Sequence, residues 1–184
     1  RERKTSREIE AGTAAPSVRL GIIADTHGLL RAEVHDMFRE VDRILHAGDV
    51  GDDGILEELA LIAPVTAVFG NVDHGALRRR LPRVVEETID GFRFVIIHGD
   101  QFGSPEPELL RAAWPDADVI VYGHTHRPLI RDFPDFSVAL NPGSAGPKRF
   151  DLPVTVAIME TEPGIPPRAR IVPLPATGSA TSTA

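Results

Sequence analysis

Apolar runs and amphipathic stretches alternate along most of the chain. Residues 18–24 read as a strand. Residues 32–39 place Val34, Met37 and Phe38 on one side at helical spacing, which predicts a short amphipathic helix. A second strand spans 43–47. Asp52 or Asp53 then caps a helix running through Leu56, Leu59, Ala60 and Ile62, and Pro64 stops it. A third strand covers 65–69, and a fourth covers 93–97 after the turn-like Asp90-Gly91 pair. Residues 105–113 are helical in pattern, with proline near the start. A fifth strand spans 119–122. Beyond it, 136–140, 154–159 and 168–172 read as strands without intervening helices. Early strand–helix alternation followed by strands alone predicts an α/β protein with mixed sheets. Residues 1–17 show no apolar period and residues 173–184 are rich in Ala, Thr, Ser and Pro, so both ends are expected to be disordered around one domain spanning 18–172.

Composition narrows the function classes. The 184 residues carry a net charge of -7, which argues against a nonspecific nucleic-acid binder, so nucleic acid is not an expected partner. Cysteine is absent, which removes disulfides, thiolate metal sites and thiol nucleophiles; a reducing, cytoplasmic setting fits. No apolar run approaches the roughly 20 residues that span a bilayer, so no membrane partner is expected. The opening Arg1-Glu2-Arg3-Lys4 is not followed by an apolar stretch, and no secretory signal is expected. Nothing in the pattern decides between a monomer and a homo-oligomer.

The chemistry-bearing residues cluster just past strand ends. Asp25-Thr26-His27-Gly28 follows the first strand, Gly48-Asp49 the second and Gly70-Asn71-Val72-Asp73 the third. His98-Gly99 and Gly123-His124-Thr125-His126 follow the next two. In an extended backbone residues i and i+2 point to one side, so Asp25 and His27 are expected to converge. Each motif alone has a plain reading as a turn, a cap or a buried histidine. Five in the same structural position point to one shared cleft at the carboxyl ends of the strands. Asp25, His27, Asp49, Asn71, His98, His124 and His126 exceed what one ion takes and suit two, with one carboxylate bridging. Nitrogen and oxygen donors without sulfur favour Mn, Fe, Zn, Ni or Co over Ca; manganese is the first expectation among them. Two such ions about 3.5–4 Å apart can clamp a phosphoryl displacement and supply a hydroxide at neutral pH.

In this order, D-x-H, G-D, G-N, H-G and G-H-x-H resemble the calcineurin-like metallophosphoesterase superfamily. The short length, Gly70-Asn71-Val72-Asp73 and Asn141-Pro142-Gly143-Ser144 are most similar to its compact bacterial and archaeal phosphodiesterase branch, whose fold a eukaryotic retromer subunit shares. The resemblance implies a four-layer α/β/β/α sandwich of two mixed sheets and a phosphoesterase using a metal-bridging hydroxide on a small phosphodiester or nucleotide-like substrate. It implies that Asp25, His27 and His126 hold one ion, Asn71, His98 and His124 the other, and that Asp49 bridges them. A weakly catalytic metal-binding scaffold of the same fold is the alternative. Many members carry histidine after Gly-Asn as a proton donor, where this chain has Val72. A general acid is worth about 10²–10⁴ in rate. His74 is a substitute candidate, and Asp73 is expected beside Asp49, Asn71 and His98 in the catalytic set.

Overall fold

The strand that precedes the first motif, β1 (Val18–Ile23), is the central strand of its sheet and carries no exposed side chain. It pairs in parallel with β2 (Arg43–His46), and β2 pairs in parallel with β3 (Val65–Ala67). On its other edge it meets β9 (Thr155–Glu162) antiparallel, and β9 meets β10 (Ile165–Pro173) antiparallel. Helices α1 (Ala32–Phe38) and α2 (Asp53–Ala60) connect the parallel strands. Asp52 caps α2, its carboxylate accepting from the Gly54 N–H at 2.8 Å. This computed structural model describes residues 17–149 and 151–175.

The second sheet has the order β4 (Val84–Ile89), β5 (Phe92–Ile97), β6 (Val119–Val121), β8 (Val138–Asn141) and β7 (Leu129–Asp132). β5, β6 and β8 run parallel, while β4 and β7 are antiparallel edges. Side-chain alternation along the strands builds three apolar layers. Leu20, Ile22 and Leu45 meet Phe94, Ile96, Val119 and Leu140 between the two sheets. Ile23, Ile44 and Ile158 face the other way, against Val34 and Phe38 of α1, Leu59 of α2 and Leu77 of α3 (Gly75–Arg80). Val95, Ile97 and Ile120 pack against Leu110 of α4 (Pro107–Ala113). The result is the expected α/β/β/α arrangement of two mixed sheets.

Several local expectations shift. β4 was not predicted, because Val-Val-Glu-Glu-Thr-Ile pairs like residues instead of alternating them; it is an edge strand joined to β5 by Asp90 and Gly91, both at positive φ. β7 was missed because its side chains are mostly exposed and carry no apolar period. The strand expected from 136 begins at Val138, since Phe136 sits at φ 66 in a turn whose Asp135 carboxylate accepts from the Ser137 N–H and hydroxyl. The helix expected from 105 begins at Pro107, after the extended Glu106. The expected tail starts too early. Pro173 pairs with Thr155, and buried Leu174 donates its N–H to the Val154 carbonyl at 2.8 Å. One apolar residue after a strand outweighs the Pro-rich composition around it. The remaining leader and tail, residues 1–16 and 176–184, lie outside the described residues.

Candidate metal centre

All five motifs follow strands that are parallel within their sheets, so they emerge at the same edge of the sandwich. Asp25 and His27 leave β1, Asp49 leaves β2, Asn71 comes four residues after β3, His98 leaves β5, and His124 and His126 follow β6. Asp25 and His27 do converge, but not by extended geometry. Seven non-glycine residues among those described have positive φ, and five of them are Asp25, His27, Asp49, His124 and His126. Such conformations cost about 1–3 kcal/mol each and persist only where the surroundings over-determine them. Here backbone bonds do so: Asp25, His27 and Gly28 donate to the carbonyls of Gly48, Asp49 and Val50 at 3.0, 3.0 and 2.8 Å. The turn after β1 is zipped to the turn after β2.

Two adjoining half-sites result. In the first, His27 Nε2 and His126 Nε2 lie 3.2 Å apart, and His126 Nε2 is 3.3 Å from Asp25 Oδ1. Asp25 is fully buried, and its Oδ1 has no hydrogen-bond donor. In the second, His98 Nε2 lies 3.1 Å from Asn71 Oδ1 and 3.3 Å from Asp49 Oδ1, while His124 Nδ1 lies 3.1 Å from the same Asn71 oxygen. The other oxygen of Asp49 faces the first half-site, 3.9 Å from His27 Nε2. Asp49 thus stands between the halves. Asp25 belongs to both of the three-residue groups whose donor atoms approach closely enough for one ion: Asp25, His27 and His126, and Asp25, Asp49 and His98.

The donor set fits cations. His98 donates its Nδ1–H to the Ala47 carbonyl at 2.9 Å, which leaves the Nε2 lone pair aimed at two oxygen acceptors. Acceptors that face one another in a buried space need a proton or a metal between them. Burial pushes His98 down, yet the Asp49 hydrogen bond and the charges of Asp25 and Asp49 outweigh it, and its pKa is raised. Burial pushes Asp49 up, but the His98 contact, the Val72 N–H at 3.0 Å and His27 hold it below the usual carboxylate range. Burial keeps His27 below its ordinary value despite Asp25 and Asp49. The two glycine motifs also have a steric cause. A Cβ on Gly48, at φ 90, would stand 2.8 Å from the His98 ring, and one on Gly70 would overlap Asp49 Oδ1.

The remaining expectations separate clearly. Asp73 is buried, and its oxygens accept from the N–H groups of Val50, Gly51 and Gly70 at 3.1, 2.8 and 2.8 Å. Expected among the catalytic residues, it instead staples the loop after β2 to the loop after β3. His74 is exposed at the N-cap of α3. Val72 offers its backbone N–H to Asp49 while its side chain is 36% exposed. His35 is a surface residue paired with Glu58 at 2.7 Å. The arginines of α3 are exposed, with Arg80 on Asp53 and Arg78 over the Phe69 ring. Trp114 and Phe102 pack edge to face on the far sheet.

Three supporting residues carried weak sequence signals. Thr26 sits between Asp25 and His27, fully buried, with its hydroxyl donating to the Val50 carbonyl at 2.9 Å. Ser144 donates to the Asp25 carbonyl at 2.9 Å, and buried Asn141 donates to the Gly123 carbonyl at 2.9 Å. Asn141-Pro142-Gly143-Ser144 therefore does more than shape a loop: it ties the turn after β8 to the turns after β1 and β6. The polar sequence between apolar runs was the available signal.

His46 is buried behind the site. Its Nδ1 accepts from the Gly48 N–H at 3.2 Å, so Nε2 carries the hydrogen and donates to Thr26 at 3.0 Å. Burial lowers its pKa from 6.5 to about 4 although Asp73 and Asp25 oppose the shift. Below about 6.5 the unfolded chain takes up a proton on this residue and the folded chain does not, down to about 4. Folding stability is therefore expected to fall over that window, by about 3 kcal/mol from this residue alone. Urea denaturation in chelator checks it: His46→Gln, which can keep both hydrogen bonds, should lose less stability on acidification than the parent. Parallel losses would reject the assignment.

A model of the calcineurin-like phosphoesterase superfamily domain matches residues 18–164. A probable metallophosphoesterase of Methanothermobacter thermautotrophicus is 40% identical over 147 residues, covering 76% of this chain and 84% of the relative. A phosphodiesterase of Methanocaldococcus jannaschii is 29% identical over 161 residues, covering 79% of this chain and 94% of that one. The structure of vacuolar protein sorting 29 from Cryptosporidium parvum superposes with a TM-score of 0.70 at 20% identity, over 86% of this chain and 98% of that one, a likeness of fold. No helix among the described residues is long and apolar enough to cross a membrane.

Proposed function

Since the chain belongs to the calcineurin-like phosphoesterase superfamily, we propose that it is a phosphodiesterase working with two divalent ions, manganese first and Fe, Zn, Ni or Co as alternatives. The observation that carries this reading is the convergence of seven donor side chains, from five strand ends, on two adjoining half-sites. Asp25, His27 and His126 would hold one ion, Asn71, His98 and His124 the other, with Asp49 shared. When bound, such a pair supplies Lewis acidity toward phosphoryl oxygens and a hydroxide nucleophile near neutral pH.

The chain's own residues set the geometry. Ala47 and Ser144 fix the His98 ring and the Asp25 backbone, so the donors need little reorganisation on loading. Val72 brings no proton to a leaving group. The substrate is therefore a small diester whose leaving group is stable as an anion, or one protonated by His74 from its exposed place at the start of α3. The absence of cysteine supports a reducing, cytoplasmic setting.

Stripped with chelator and reloaded with Mn, Ni, Fe or Zn, the protein is expected to hydrolyse aryl phosphodiesters faster than the matching monoesters. His74→Ala should lower kcat for poor alkyl leaving groups at least about tenfold more than for p-nitrophenol. Equal effects on both would reject the acid role. No turnover with any metal would replace the enzyme by a scaffold of the same fold.

A further inference from the structure

Two recesses flank the centre, and they differ in kind. On the His126 side, beside exposed Lys148 and Arg149, the space is only about 10 Å³. On the His124 side lies a cavity of about 540 Å³, within the range of small-molecule sites. It opens between the loop before α4 and the residues that follow Gly123-His124-Thr125-His126. His124 belongs both to this cavity and to the second half-site, so a group attached to a phosphate at the centre reaches the cavity directly.

The lining is mixed: Pro105, Leu129 and the ring of Tyr122 supply its apolar part, and Ser104, Thr125 and charged side chains the rest. Three polar groups in the lining are not engaged by the fold. Tyr122 is 2% exposed as a residue, but its hydroxyl is not among the buried polar atoms without a partner; it opens onto the cavity, where no described side chain bonds it. Glu106 forms no side-chain cap on α4 and, like Arg127, no ion pair with a described residue. A carboxylate and a guanidinium at one cavity suit a group carrying both N–H donors and carbonyl or ring-nitrogen acceptors. The carboxylate disfavours a further phosphate there, and the apolar part of the lining favours a flat ring over a sugar alone.

We propose that this cavity binds a nucleobase, with Glu106, Arg127 and Tyr122 reading its edge, so that the substrate is a nucleoside-containing phosphodiester. The inference rests on the phosphodiesterase reading above. The base would occupy the space that Pro105 and Leu129 line, with the phosphate on the His124 side.

Two esters with the same leaving group test it: thymidine 5′-(p-nitrophenyl phosphate) and methyl p-nitrophenyl phosphate. On the manganese-loaded protein the nucleoside ester should have kcat/KM about 10- to 100-fold higher. Leu129→Trp, which fills the cavity, and the double variant Glu106→Ala/Arg127→Ala should each shrink that ratio at least about threefold. A ratio near one in the parent, or unchanged in both variants, overturns the base site and leaves the phosphodiesterase reading intact. A second arm needs no turnover. Guanosine, adenosine and thymidine 5′-monophosphates, added at millimolar concentration to ¹⁵N-labelled protein in chelator, should shift the amides of Gly103, Thr125 and Leu129 more than ribose 5-phosphate does. Equal shifts overturn the proposal. If neither ester is hydrolysed, the enzymatic reading fails, and this arm alone decides whether the cavity takes a base.

Discussion

Asp49→Ala is expected to lower phosphodiester hydrolysis by about 10³-fold or more and to reduce bound manganese from two ions per chain to one or none. The reason is positional. Asp49 is 3% exposed, and its two oxygens face different half-sites, one 3.3 Å from His98 and the other 3.9 Å from His27. No other described side chain spans both sides in that way, although Asp25 approaches each group. Without the carboxylate, cations held close together lose the negative charge between them. The fold itself should survive, because the change frees only one backbone N–H, at Val72, and the contacts with His98 and His27. Metal analysis of the purified variant, alongside kcat for an aryl diester and a melting curve in chelator, checks the expectation. A variant that keeps two ions and loses less than tenfold in rate would show that Asp49 does not bridge.

Asp73→Ala should act first on stability. Its carboxylate satisfies three backbone N–H groups in a fully buried position, those of Val50, Gly51 and Gly70. Each buried donor left without a partner costs about 1–3 kcal/mol, and relaxation recovers part of the sum, so a loss of about 3–5 kcal/mol is expected. Asp73→Asn should lose less, because one amide oxygen still accepts while the NH₂ group faces donors. The same staple places Asp49 and Asn71, so manganese affinity should fall as well. Excess manganese should recover part of the lost stability, since it binds the folded state. Urea denaturation with and without manganese measures both effects. A loss below about 1 kcal/mol for alanine would mean that water replaces the carboxylate.

The two variants divide the labour in the Gly70-Asn71-Val72-Asp73 segment and its neighbour. Asn71 presents an oxygen to His98 and His124, Val72 a backbone N–H to Asp49, and Asp73 a carboxylate to the backbone behind them. Spacing alone announced that these residues were close to a site. It did not separate the one that faces the centre from the one that faces away. That distinction comes from the turn between β3 and α3, in which the Asp73 N–H returns to the Gly70 carbonyl. In an extended chain Asn71 and Asp73 would share a side.

Much of the rest was present in the order of residues. Apolar strands ending in Gly plus Asp, Asn or His reported both the parallel core and the edge at which its ligands emerge, because a buried strand end has room for few other side chains. The overlap that a Cβ would make at Gly48 or Gly70 ties those motifs directly to the packing around His98 and Asp49. The edge strands β4 and β7 stayed hidden for the converse reason. Half-exposed strands bury too little to impose a pattern. Nor was the left-handed backbone at Asp25, His27, Asp49, His124 and His126 readable: Asp and His adopt it more often than most residues, but most of them do not, so residue type alone does not mark the positions.

By itself, then, the sequence determined the α/β character, the two-sheet expectation through family resemblance, and seven candidate donors at five strand ends. Only the tertiary structure decided how those donors divide into half-sites, that Asp73 is a staple, that His46 is a neutral buried link, and that a roomy recess adjoins His124 and not His126. Residue type and local period govern which side chains can ligate and which strands can be buried. Their relative placement depends on hydrogen bonds between loops far apart in sequence, such as Ser144 to Asp25 across 119 residues, which no local pattern encodes.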